Sequence, residues 1–308
     1  MAEPLFSIVI PCYNYGHWLA RAVESVLAQD GDDWDLLVID DGSTDDTAQI
    51  ARELQARHPG RLRFLTQPNR GVAATRNRGI DETSGRYLIF LDADDELAKG
   101  ALATYRELLA QMPDADLLAG GHRAVDERGR SKVQAVGRLP ATPERRLRGY
   151  LFGKRIHLTG SAVAFRRAAL SARRYPERMR STEDLPVFGY LLATGEIAVT
   201  ATPVATTHRH PGSLRHDAVH AAAAADALVE EMFRVDLMPG WAQAYRKRYR
   251  AQRQLSLFRT RYLAGDARRA AEHYHQALRA SPLVALRSWS YLGKYLRLRC
   301  GRTPRGAR

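Results

Sequence analysis

The chain has 308 residues, with 47 Lys and Arg against 34 Asp and Glu and a formal net charge of +13. Its ordinary globular composition excludes collagen-like, low-complexity and wholly disordered chains. No apolar stretch reaches the roughly 18 to 20 residues that span a bilayer, and two distant cysteines, Cys12 and Cys300, offer no disulfide framework and suit a reducing, cytoplasmic setting.

The charge would by itself suit nucleic acid or an anionic membrane, but 17 of the basic residues lie between Trp241 and Arg308, where the only acids are Asp266 and Glu272. The remainder is near neutral. The length suits one large α/β domain plus an appendage, and the reading is a domain over 1–215 and a basic helical region over 216–308.

In chain order, Leu5 to Ile10 reads as a strand, too short for a signal segment and with no basic residue before it. Leu19, Val23, Val26 and Leu27 recur at helical spacing. Trp34 to Ile39 is a second strand, followed by a helix from a capping-box-like Ser43-Thr44-Asp45-Asp46 to His58-Pro59-Gly60. Arg61 to Thr66 is a third strand, Gly71 to Glu82 a helix, Arg86 to Leu91 a fourth strand and Leu97 to Gln111 a helix. This alternation is the βαβ signature of a Rossmann-like, mainly parallel sheet flanked by helices. After Pro113 it loosens: strands are expected at Asp116–Ala119, Ser161–Phe165 and Glu196–Thr200, helices at Thr142–Phe152 and Glu183–Ala193, and a strand and loop over Pro203–Ser213. From Asp217 the pattern is all helical, broken at Gly265-Asp266 and Pro282.

Two buried-type strands end in acids. Leu36 to Ile39 runs into Asp40-Asp41, and Tyr87 to Leu91 runs into Asp92-Ala93-Asp94-Asp95. Parallel sheets bind ligands in the crevice beyond their strands' carboxyl ends, so both groups are expected to face one crevice. Helix capping explains one acid of the second group, not three. Carboxylates gathered there call for a cation, and Mg²⁺ or Mn²⁺ carrying a phosphorylated substrate is the usual partner. Asp40-Asp41-Gly42-Ser43 also has turn chemistry of its own. Arg70, Arg76 and Arg78 crowd one helix, either as a solvated basic face or with Arg76 approaching a diphosphate.

The series Pro11-x-Tyr13-Asn14, Asp40-Asp41-Gly42-Ser43-Thr44-Asp45, Asn69-x-Gly71 with Arg76-Asn77-x-Gly79, and Leu91-Asp92-Ala93-Asp94-Asp95 resembles the family 2 glycosyltransferases of the GT-A fold. Thr182-Glu183-Asp184 looks like that family's base motif, and His208 to Leu214 resembles its C-terminal loop. Thr75, where alanine is common, departs from the pattern. The resemblance covers about residues 5 to 215. It implies an inverting, nucleotide-sugar-dependent hexosyl- or N-acetylhexosaminyl-transferase. Asp41 would contact the base, most often uracil, with the Pro11 to Asn14 loop stacking nearby and Asp40 helping to hold the loop. Arg76 would lie near the ribose or diphosphate. Asp94 or Asp95 would bind Mn²⁺ or Mg²⁺, and Asp92 or Asp94 the ribose. Asp184 would be the catalytic base with Glu183 shaping the site. His210 could reach the metal or diphosphate, or be an ordinary loop histidine.

The expected acceptor is a glycan or lipid-linked hydroxyl in surface polysaccharide synthesis. The chain lacks the transmembrane helices and Gln-x-x-Arg-Trp motif of processive synthases. A sugar nucleotidyltransferase would open with a Gly-rich, Arg-containing loop, which Pro11 to Gly16 does not supply. A basic nucleic-acid-binding protein would leave the acids unexplained, so no nucleic-acid partner is expected. Residues Trp241 to Ala280 look like a tetratricopeptide-type hairpin, which cannot bury its own apolar face and should pack on the catalytic domain or a partner. The last helix mixes Leu283, Leu286, Trp289, Leu292 and Leu296 with Arg287, Lys294, Arg297 and Arg299, a pattern suited to anionic lipid and peripheral attachment to the inner face of the cell membrane.

Overall fold

The computed structural model describes residues 3–153, 155–210 and 225–300, which form two units on either side of the 211–224 stretch. The expected boundary at 215 lies outside the described residues.

The first unit is built on a mixed sheet. β1 (Phe6–Cys12), β2 (Trp34–Asp40), β3 (Leu62–Thr66) and β4 (Tyr87–Phe90) are parallel in the order β3-β2-β1-β4. The sheet continues beyond β4 through β8 (Val163–Arg166), β6 (Leu117–Val125), β9 (Ile197–His208) and β5 (Glu96–Leu97), with β7 (Ser131–Gln134) beside β6. β1 therefore lies between the two strands that end in acids, and the chain order reverses direction there, which is where open α/β sheets place ligands.

Side chains alternate across the strands. Ile8, Ile10, Leu36, Val38 and Ile89 join a core with α1 (Gly16–Leu27), α2 (Thr47–Arg57) and α4 (Ala101–Gln111). Val9, Leu37, Ile39, Leu88 and Phe90 join the opposite core with α3 (Val72–Glu82), α6 (Arg167–Ala172) and α7 (Asp184–Thr194). Burial on both faces explains why these strands read as unbroken apolar runs. α3 lies so close to β1 that a Cβ at Gly79 would stand 2.6 Å from Val9 Cγ1. Gly79→Ala is expected to cost about 1–3 kcal/mol by overpacking, read as a lowered Tm.

Several boundaries differ from expectation. The helix expected from Leu97 begins at Ala101, because Glu96 and Leu97 pair with Thr206 and Ala205 of β9. The Glu196–Thr200 strand and the first part of the Pro203–Ser213 segment form one long strand, β9, whose register on β6 shifts around Gly121; positions 211–213 of that segment lie outside the described residues. The Thr142–Phe152 helix divides into α5 (Pro143–Arg148), capped by Thr142, and a π-helical turn at Gly149–Gly153. Ser43 does not cap α2. Asp45 takes the first-turn amide of Thr47, and Ser43 is held by the β1 loop instead.

The second unit contains α8 (Ala225–Met232), α9 (Arg246–Leu263), α10 (Ala267–Ala280), α11 (Pro282–Arg287) and α12 (Trp289–Arg299). The expected hairpin is α9 and α10, with Asp266 capping α10. Its apolar face is covered within the unit. Phe258, Tyr262, Tyr274 and Ala277 pack with Ala285 of α11 and with Tyr291, Leu292 and Tyr295 of α12. The Tyr274 and Tyr295 rings stack at 4.3 Å. No described helix is long and apolar enough to cross a membrane.

Candidate active site

At the end of β2, Asp40 and Asp41 are both buried. Asp40 Oδ1 accepts from the Ser43 amide at 3.0 Å, and Ser43 Oγ accepts from the Asn14 amide at 2.8 Å. Asn14 adopts a left-handed φ of 57° and accepts from the Thr44 amide at 2.8 Å, which joins the loops after β1 and β2. Gly42, at φ 75°, lies where a Cβ would meet the Asn69 amide at 2.8 Å.

Asp41 binds the β3–α3 connection. Its carboxylate accepts from Gln67 Nε2 at 2.7 Å and from the amides of Arg70 and Gly71 at 2.9 and 2.8 Å. Three of about four lone-pair directions are thus taken. Asp41 is a loop clamp with one acceptor direction to spare. Thr75, the departure noted in the sequence, joins this clamp by accepting from Gln67 Nε2 at 3.1 Å. Pro11 is buried in β1, while Tyr13 is exposed just beyond it.

Beyond β4, carboxylate oxygens of Asp92, Asp94 and Asp95 lie within 4.8 Å of one another. The Asp95 amide donates to the Asp92 carbonyl at 2.9 Å, a tight turn that brings the acids together. Asp95 is buried; it accepts from Ser161 Oγ at 2.7 Å and from the His208 amide at 3.1 Å. Burial and the charges of Asp92 and Asp94 push its carboxyl well above the usual range, and burial with Asp92 raises Asp94. Grouped hard oxygen donors whose charged forms disfavour one another are a donor set that fits Mg²⁺ or Mn²⁺.

His210 Nε2 is 2.8 Å from Asp94 Oδ2, so the structure places it on a carboxylate of the cluster. Trp18 stacks on the His210 ring at 5.8 Å, and Tyr15 meets that ring edge-on. Arg21 lies over Trp18 at 4.4 Å and donates to the Asp94 carbonyl at 2.7 Å. Burial and the nearby Asp94 and Asp92 push the Tyr15 hydroxyl up to about 12. Ser161, Trp18 and Arg21 carry no site motif in the sequence. The only signals were α1's start directly after the β1 loop and the Gly160-Ser161 pair ahead of a strand.

Arg76, expected near the ribose or diphosphate, is held between two acids. Buried in α3, it donates through Nη1 to Glu183 at 2.7 Å and through Nη2 to Asp92 at 2.8 Å. Burial lowers its pKa, but the charges of Asp92 and Glu183 outweigh that and hold it above its ordinary value. It thereby links the β4 acids to Glu183-Asp184. Asn77, on the same helix, donates to the Tyr175 carbonyl at 2.9 Å and accepts the Tyr175 amide at 3.0 Å, which fixes the segment leading to α7. Ser181, with φ 66°, is a strained turn three residues before Asp184.

Asp184 is the first residue of α7. Burial and the neighbouring Glu183 raise its pKa to about 6, with Arg76 opposing the rise. It is therefore more basic than an ordinary carboxylate. Cys12 is inert by contrast, since burial pushes its thiol up to about 12. In the native protein only the exposed Cys300 is expected to react with a thiol reagent, and both cysteines after denaturation.

The sequence model of the family described as "Glycosyl transferase family 2" matches residues 7–174, more than half of the chain. The chain belongs to glycosyl transferase family 2. Within family 2 it is 43% identical over 99 residues to chondroitin synthase of Escherichia coli, covering 32% of this chain and 14% of that protein. It is 37% identical over 103 residues to a GalNAc(5)-diNAcBac-PP-undecaprenol beta-1,3-glucosyltransferase of Campylobacter jejuni, covering 33% of each. The matched segments thus span well under half of those relatives' length. In fold it is similar to S. aureus TarS 1-349 in complex with UDP-GlcNAc, with a TM-score of 0.70, 20% identity, and coverage of 96% of this chain and 92% of TarS 1-349. A mannosyltransferase from Pyrobaculum calidifontis in complex with GDP-Man and Mn²⁺ matches with a TM-score of 0.57 and 18% identity over 98% of this chain and 84% of its own. The GT-A fold with a helical C-terminal extension, expected from the sequence, is borne out.

Proposed function

We propose that this family 2 member is an inverting glycosyltransferase that moves a hexosyl or N-acetylhexosaminyl group from a UDP-sugar to a hydroxyl of a glycan or lipid-linked acceptor. The observation that carries the reading is the pairing, through buried Arg76, of the three-aspartate cluster with Glu183 and a base-like Asp184. The uridine choice is supported by the UDP-GlcNAc and UDP complexes of TarS. A lipid-linked acceptor is supported by the PP-undecaprenol in the Campylobacter relative's name.

Asp94 and Asp95 would hold the divalent ion, with Asp92 toward the ribose and His210 supporting Asp94. The ion's chemistry is to neutralise charge on the departing diphosphate. Tyr13 would stack on the base, whose N–H would take the remaining acceptor direction of Asp41. Asp184 removes the acceptor hydroxyl proton as the new O–C1 bond forms and the C1–O bond to the nucleoside diphosphate breaks. The proton remains on the Asp184 carboxylate, and single displacement inverts the anomeric centre.

A panel of UDP-, GDP- and dTDP-sugars, each with and without Mn²⁺ or Mg²⁺, tests the reading by thermal shift and slow donor hydrolysis. One UDP-sugar is expected to stabilise the protein only with the divalent ion, and Asp95→Asn to abolish the effect. No response to any donor would overturn the reading.

A further inference from the structure

The last two helices leave several large apolar side chains uncovered. Tyr291, Leu292, Tyr295 and Leu298 turn into the core of the second unit. Trp289, by contrast, is 78% exposed, and Leu283, Leu286 and Leu296 are exposed as well. At about 100° per residue, Leu296 lies about 20° from Trp289 on α12, while Arg297 and Arg299 lie about 80° to either side of Trp289, and both arginines are exposed. From Ser281 to Arg308 the sequence has seven Lys and Arg and no Asp or Glu.

We propose that the exposed face of α12 is a docking surface for an anionic phospholipid bilayer, with Trp289 and Leu296 entering the headgroup boundary and Arg297 and Arg299 meeting lipid phosphates. The composition selects this occupant. An apolar stripe of Trp and Leu rimmed by arginine suits an interface that is oily below and negative above. A nucleic-acid backbone would satisfy the arginines and leave the stripe in water. A second copy would bring like charge onto like charge. The proposal stands independently of the donor and acceptor chemistry, because it uses no residue of the first unit.

The test uses the full chain, without donor, and unilamellar vesicles of phosphatidylcholine alone or mixed equally with phosphatidylglycerol. Sedimentation with the mixed vesicles at low salt is expected, with release at about 0.5 M salt, where screening shortens to a few ångströms. Each basic residue near such a surface contributes about a factor of five to partitioning. Arg297→Glu with Arg299→Glu should therefore reduce binding at least about 25-fold. Trp289→Ser with Leu296→Ser should abolish binding and remove any blue shift of tryptophan emission on adding vesicles. Both pairs are exposed, so an unchanged Tm and unchanged donor hydrolysis serve as the folding control. Equal sedimentation with neutral and mixed vesicles overturns the proposal. So do retention of binding by both variants, and vesicle indifference accompanied either by oligonucleotide binding or by self-association that Trp289→Ser removes.

Discussion

Asp184→Asn is expected to lower kcat by about 10²–10⁴-fold, the range supplied by a positioned general base, while leaving donor-dependent thermal stabilisation in place. The substituted amide keeps the side chain's shape and cannot accept the acceptor's proton. In the unsubstituted enzyme the active form is the carboxylate, whose pKa stands at about 6. The value of kcat/KM, which reports the free enzyme, should therefore be flat above about pH 7 and fall tenfold per unit below about pH 6. The same shift affects stability. A carboxyl whose folded pKa lies above its ordinary value of 3.8 binds its proton more tightly in the folded state. Its favourable contribution is full below that unfolded value and is lost as the pH rises through about 6. Removing the charge should thus raise Tm at pH 7.5 and leave it nearly unchanged at pH 4. A variant that is inactive and more stable at neutral pH, yet still responds to donor, fits only a residue held in a destabilised state for its chemistry. Near-wild-type turnover by Asp184→Asn would remove it from the base role.

The strands of the parallel half were readable because burial on both faces leaves a direct trace, an unbroken apolar run. The acids at their ends were readable because nothing structural asks for three carboxylates in four residues. Pairings that depend on sequence-distant partners were not. Leu97 read as the start of a helix, since a two-residue strand carries no period, and only the β9 ladder makes Glu96-Leu97 a strand. The ion pairs of Arg76 could not be read from its neighbours Arg70 and Arg78. Its partners lie 16 and 107 residues away, and no local spacing reveals them. Ser161 reads as an ordinary residue beside a strand, yet its hydroxyl donates to Asp95 and accepts from the Asp92 amide at 3.3 Å. The clamping of the β3–α3 connection by Asp41 was not readable, because two of its three donors are backbone amides.

Arg76→Met is expected to be the most damaging single change to the site. The Arg76–Glu183 pair is buried on both sides, and removing one partner leaves the other charge uncompensated. Breaking such a pair typically costs about 3–5 kcal/mol, which should appear as a marked fall in Tm. The Glu183 carboxylate already has one buried oxygen, Oε2, with no partner among the described residues, so it has little alternative solvation. Arg76→Met/Glu183→Gln should recover much of the stability, since a neutral amide removes the stranded charge, and the double-mutant cycle then isolates their coupling. Activity should behave differently. Arg76 opposes the rise in the Asp184 pKa, so its loss should move the acid limb of the kcat/KM profile to higher pH. In Arg76→Met/Glu183→Gln the Glu183 charge that raises Asp184 is gone as well, and the limb should return toward its original position. Arg76→Lys keeps the charge but loses the planar fork that reaches Glu183 and Asp92 together, so it should rescue Tm more fully than turnover. A purely structural arginine would show parallel losses of Tm and activity with no movement of the acid limb. A displaced limb that the second substitution restores assigns Arg76 the job of holding the metal-side acids and the base at working charge.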